Sequence, residues 1–212
     1  MDLSTLVSRV ATRLNIDSND PLYASLDEFV NEAIHHLETS NPDGYQWMRA
    51  TVTTTITTAS YTFTQLNADA TIAKVLSIRV LDDSAWMPLT FHGPDEIQQL
   101  YPSNTRTGTP EAFYVEGSAV YFYPTPDTSY TIQIRVLNTE PDLGGDSSTP
   151  SIPTVFHTAI IDCALLFAYQ SLADDRRVAL QEQRVATHVQ RMRTFGQQYD
   201  PNPRIRVREW LT

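Results

Sequence analysis

The chain has 212 residues, with 15 Lys or Arg against 25 Asp or Glu for a formal charge of −10, and one cysteine. That length buries a core without disulfide or metal staples, and a lone Cys163 excludes an internal disulfide framework. The acidic balance argues against a protein that wraps nucleic acid. Met1, Asp2, Leu3, Ser4, Thr5 lacks the basic and apolar stretch of a signal peptide, and the longest apolar run, Cys163 to Tyr169, is far below the roughly 20 residues that cross a bilayer, so no membrane partner is expected.

Leu3, Leu6, Val7, Val10 and Leu14 fall at helical spacing and predict a first amphipathic helix ending near Asn15. Pro21 suits the first turn of a second helix, whose apolar stripe is Leu26, Phe29, Val30, Ala33, Ile34 and Leu37 and which Asn41, Pro42, Asp43 and Gly44 terminate. From Thr51 the pattern turns β-branched, with seven Thr between positions 51 and 62, and Tyr61, Thr62, Phe63 continue it as a strand.

Strands are expected at Lys74 to Leu81 and Trp86 to Phe91 around the turn Asp82, Asp83, Ser84, then a short helix at Pro94 to Leu100. Ala112 to Glu116 and Ala119 to Tyr123 flank Gly117 and Ser118 as a hairpin, with Tyr130 to Leu137 as its companion strand. Asn138 to Pro150 reads as an exposed loop. Pro153 opens a helix apolar on nearly all sides, which must therefore be central. After Ala173, Asp174, Asp175 a long last helix carries Val178, Val185, Val189, Met192 and Phe195 on one side, Arg177, Arg184 and Arg191 at seven-residue intervals on another, and a stop at Gly196.

The expected fold is α+β: a four-helix bundle of two N-terminal and two C-terminal helices, with an inserted antiparallel β domain and an extended C-terminal arm. Residues 1–48 and 151–198 supply the bundle, 49–150 the β insertion and 199–212 the arm.

Residues 174–212 hold eight Arg against five acids, a net charge of +3, while residues 1–173 hold seven basic residues against twenty acids, a net of −13. Lys74 is the only lysine, so the cations are nearly all Arg, which suits bidentate contacts to protein. The arm alternates charge with apolar side chains: Arg204, Ile205, Arg206, Val207, Arg208, with Trp210 beyond. Such a strand suits addition to another surface with Trp210 as anchor, against the alternative of an edge strand on its own fold or a frayed end. The Arg177, Arg184, Arg191 row is either a solvated face or a contact to a neighbouring subunit.

Catalytic and metal signatures are weak. Glu32 and His35 have the Glu-x-x-His spacing of di-iron bundles, but no second copy occurs. Asp82, Asp83 and Asp174, Asp175 are paired acids of the kind a glycoside hydrolase uses, yet both pairs fall where turns and helix starts favour Asp. No nucleophile elbow, phosphate loop or zinc signature is present, so no enzyme, cofactor or metal is expected.

Leu26 to Leu37 with Trp47 and Thr51 to Phe63, then Gly108, Thr109, Pro110, Glu111, Ala112, Phe113, Tyr114 with Val120 to Asp127, then Ile152, Pro153, Phe156, His157 before an apolar helix, together resemble the head-to-tail adaptors of tailed phages. That group includes the tubular tail protein A of short-tailed phages. The resemblance implies a structural virion protein, assembled in the host cytoplasm, in a closed homo-oligomeric ring of about twelve copies. Its partners would be the portal protein and the next tail component, a nozzle or tail tube, with DNA passing through the lumen during genome ejection without specific binding. The arm would dock on the portal or a neighbouring copy. A virion-associated cell-wall hydrolase and a monomeric cytosolic binding module are the alternatives.

Overall fold

The computed structural model describes residues 1–67, 71–100 and 105–198, with backbone only at 196–198. In chain order they form helix α1 (Leu3–Leu14), a 3-10 turn (Pro21–Ser25), helix α2 (Leu26–Thr39), strands β1 (Arg49–Ile56) and β2 (Ser60–Thr62), and the short helix α3 (Phe63–Leu66). Strands β3 (Thr71–Asp82), β4 (Ala85–Pro88) and β5 (Thr90–Phe91), helix α4 (Pro94–Leu100), and strands β6 (Ala112–Glu116), β7 (Ala119–Tyr123) and β8 (Tyr130–Thr139) follow. Helices α5 (His157–Ser171) and α6 (Asp175–Gln198) close the described chain. The fold is α+β and divides into two compact units, Met48–Pro141 and a helical unit of Met1–Trp47 with the described residues from Asp142 onward.

The described residues of the β unit form two four-stranded sheets, ordered β1-β8-β3-β4 and β2-β7-β6-β5. Alternate residues of each contribute to one apolar cluster: Ile132, Ile134 and Val136 of β8, Ile78 and Val80 of β3, and Val120 and Phe122 of β7. This is the period-two pattern of strands with one buried face. The β6–β7 hairpin closes through Gly117, whose φ of 60° suits the two-residue turn it forms with Ser118.

Four expectations for this unit change. The sheets are not purely antiparallel, because β5 pairs parallel with β6; the connection through α4 supplies the crossover that parallel strands need. Trp86 to Phe91 is two strands in different sheets, split at Leu89. Strand β8 is not the companion of the β6–β7 hairpin but the centre of the other sheet, between β1 and β3. Phe63 begins a helix because Thr62 and Gln65 form a reciprocal capping box, which satisfies backbone donors that a strand would have left to a partner.

In the helical unit, Asp2 caps α1 by accepting from the Thr5 amide at 2.9 Å, and Asn15 ends it in the left-handed region at φ 59°. Pro21 opens the separate 3-10 turn instead of α2, whose buried stripe is Leu26, Val30, Ala33, Ile34 and Leu37. Helix α5 is buried around most of its circumference because it packs against α1, α2 and α6. Gly196 does not stop α6, which runs to Gln198. The segment read as an exposed loop is tied to the helices: Leu3 and Ser4 amides donate to the Ser148 and Asp146 carbonyls, and Leu143 is buried, its amide donating to Asn31 Oδ1 at 2.8 Å.

At the centre of α5 sits Asp162, 5 % exposed. Its carboxylate accepts from Arg13 Nη1 of α1 and, at 2.9 Å, from His188 Nε2 of α6, while its backbone carbonyl accepts from Gln181 Nε2 at 2.9 Å. Gln181 and His188 lie on the same α6 seam as Val178, Val185, Met192 and Phe195, a three-four spacing that turns one stripe toward α5. His157, also buried, lies 2.9 Å from both the Ile152 carbonyl (through Nε2) and the Met1 nitrogen (at Nδ1).

Three outcomes follow from this packing. Asp162→Ala leaves His188 without its acceptor and frees the Arg13 end; since Arg13 is partly solvated, the loss in urea unfolding should be about 2 to 3 kcal/mol. Burial, aided by the Glu32 and Asp162 carboxylates, pushes the Cys163 thiol up to about 12, so a disulfide reagent should titrate it only after denaturation. Burial holds the His157 imidazole below its ordinary value, the Ile152 hydrogen bond opposing and the Met1 ammonium adding to the effect. Its stabilising contribution is therefore complete above the unfolded-state value of 6.5 and is lost as pH falls toward the lower folded one. Melting temperature should drop across that window, and His157→Gln should flatten the drop.

Candidate protein interface

Helix α6 turns its polar seam and its apolar stripe toward α5, which leaves the flank carrying Arg177, Arg184 and Arg191 exposed. Each arginine immediately precedes a seam residue, Val178, Val185 or Met192, so the seven-residue repeat that buries one set aligns the other. The three are not equivalent. Arg177 is held at home, its Nε 3.2 Å from Asp174 and its guanidinium 5.4 Å from the Tyr169 ring centroid. Arg184 and Arg191 make no ion pair or hydrogen bond within the described residues, and no Asp or Glu stands three or four places from either on α6.

Arg191 borders an open groove of about 540 Å³, lined on α6 by Thr187, Gln190, Thr194 and Phe195 and across it by Val155 and Phe156 of the turn before α5. Val155 is 68 % exposed. Behind the groove an aromatic row runs from Phe195 to Phe156 at 5.2 Å, Phe156 to Trp47 at 5.8 Å and Trp47 stacked on Tyr45 at 4.4 Å. An apolar floor with one long cation at the rim is the composition of a protein contact surface.

The outward side of α2 has the opposite charge. Glu28, Asn31, Glu32 and His35 stand at i, i+3, i+4 and i+7 and, with Asp142, line a hollow of about 560 Å³ in which His35 Nε2 is 2.8 Å from Asp142 Oδ1. Glu32 and His35 thus share a face, but it is the solvent face and not the interior that a di-iron centre needs, and among the described residues no group of three His, Cys, Asp or Glu side chains is assembled for a metal.

The acid pairs are local devices. Asp83 takes φ 50° in the β3–β4 turn after Asp82 ends the strand, and Asp174 accepts from the Arg177 amide at 3.1 Å at the start of α6, followed by Asp175. Exposed apolar side chains gather on edge strands of the β unit, Trp86 and Met87 on β4 and Phe91 on β5, the last 61 % exposed. No helix among the described residues is long and apolar enough to cross a membrane.

Arg204, Ile205, Arg206, Val207, Arg208 and Trp210 lie outside the described residues. Sequence reasoning missed Gln181 and His188, although their places on the seam between Val178, Val185 and Met192 were a signal that α6 meets a polar partner. It also missed the groove, which two separate segments create.

No curated protein matches the sequence significantly. A family model described as SU10 adaptor protein matches residues 1–208, in agreement with the resemblance to phage head-to-tail adaptors. With a match over nearly its whole length, the chain belongs to the SU10 adaptor protein family, a phage structural component.

Proposed function

We propose that this chain is a head-to-tail adaptor that assembles as a closed ring between portal and tail and surrounds the DNA channel. The observation that carries this reading is the family match across residues 1–208. The surfaces support it: a helix face with two arginines that have no ion-pair or hydrogen-bond partner among the described residues, an open apolar groove beside one of them, and edge-strand aromatics on the β unit are features of a protein that works by contact.

In this reading α1, α2, α5 and α6 act as a four-helix bundle that meets the portal, and the β unit meets the next tail component, a nozzle or tail tube. Arg177, Arg184 and Arg191 form an inter-subunit face. The arm, through Arg204, Ile205, Arg206, Val207, Arg208 and Trp210, grips the portal or an adjacent copy. A formal charge of −10 is compatible with DNA sliding through the lumen without adhering to its wall.

Electron microscopy of purified particles should place a ring of this chain, about twelve copies, at the head-tail junction; a particle lacking the chain, or holding a solitary copy, overturns the reading. Removing residues 201–212 should leave the circular dichroism spectrum of the purified protein unchanged and abolish portal association. Normal association by the truncated chain would remove the arm from the mechanism.

A further inference from the structure

We infer that the ring forms by one specific pairing: the Arg184 and Arg191 face of α6 in one copy seats against the acidic α2 face of the next, formed by Glu28 and Glu32 with Asp142. This rests on the ring reading and names its partner surface. The two faces belong to the same helical unit and are chemically complementary, so copies related by rotation present unlike patches to one another. That is a head-to-tail contact, the kind that closes into a ring when the rotation divides the circle.

The dimensions agree. Arg184 and Arg191 are seven residues apart, about 10 Å along the helix axis, and the acidic face runs a similar length, from Glu28 past Glu32 to the Asp142 carboxylate beside His35, seven residues along α2 from Glu28. The acidic hollow of about 560 Å³ is open, and Glu28 and Glu32 have no ion-pair partner within the described residues. Arginine's planar fork suits such a site, since it binds a carboxylate through two parallel hydrogen bonds. Asp142 is already joined to His35, which steadies the far wall of the hollow. Arg177, engaged by Asp174, lies on the same face but does not take part in this pairing.

Charge gives a second reason. Copies carrying a formal −10 repel one another when packed side by side, and the surplus of Arg near the C-terminus is the means this sequence has of reversing the sign locally. A contact that places those arginines against α2 acids offsets part of the repulsion and favours one register, because sliding by a turn would carry an arginine away from its carboxylates.

Cross-linking within assembled particles tests this. Arg191→Cys and Glu32→Cys in one chain, treated with a short bis-maleimide, should give a ladder of covalent multimers on a denaturing gel, while either substitution alone gives monomer; buried Cys163 does not compete. Particles that contain the chain but yield no ladder overturn the pairing and leave the ring reading intact, whereas absence of the unsubstituted chain from particles overturns the ring reading itself. Charge reversal supplies a second readout. Arg184→Glu with Arg191→Glu should lower incorporation into particles about tenfold or more, and adding Glu28→Arg with Glu32→Arg should restore most of it. Loss without restoration, in a variant whose circular dichroism shows it folded, assigns the arginines to another partner and overturns the pairing.

Discussion

A carboxylate placed inside a helical core loses the hydration that stabilised it, and the loss is recovered only if donors reach it from several directions. Asp162 meets that condition through two other helices: Arg13 from α1 and His188 from α6 reach its oxygens, and Gln181 takes the adjacent backbone carbonyl. Ordinary apolar packing would tolerate α6 sliding along α5, because Val, Met and Ala surfaces are interchangeable. A buried hydrogen-bonded node does not, since displacement by one turn would leave the carboxylate and its donors unpaired. The axial and rotational position of α6 therefore follows from one residue of α5.

The outer surface inherits that setting. Once Gln181 and His188 are held inward, the rotation of α6 is determined, and Arg184 and Arg191 have no option but to face outward. The groove beside Arg191 depends on the same rotation, because it exists only where Thr187, Gln190 and Thr194 lie opposite Val155 and Phe156. A structural protein that acts through contacts needs its surface groups held at fixed spacing, and a rigid interior provides this.

The β unit reaches definition by other means. Its sheets are specified by alternation, with Ile132, Ile134 and Val136 facing the shared core, and by turn chemistry at Gly117 and Asp83. Its short edge strands β4 and β5 leave Trp86, Met87 and Phe91 in solvent, where Arg79 covers one face of Trp86 at 5.9 Å. A brief, partly covered edge limits indiscriminate strand pairing.

Periodicity alone determined the four long helices, the β6–β7 hairpin and α4, because each is encoded within a window of a dozen residues by stripe, turn or cap. Leu26 to Leu37 shows its buried face in the spacing, and the stretch Ile160 to Leu166, apolar on nearly all sides and interrupted by Asp162 alone, announces a central helix. The Arg177, Arg184, Arg191 row was equally legible, since a repeat of seven places side chains on one face whatever surrounds the helix. Tertiary structure decided what depends on residues distant in sequence: that β8 enters the sheet of β1 and β3, that β5 runs parallel to β6, that Asp162 is the meeting point of Arg13 and His188, and that Asp142 completes a hollow on α2. Strand partners and buried polar nodes are chosen by the energy of the assembled core, to which residues more than a hundred positions apart contribute together, and no local pattern records that choice.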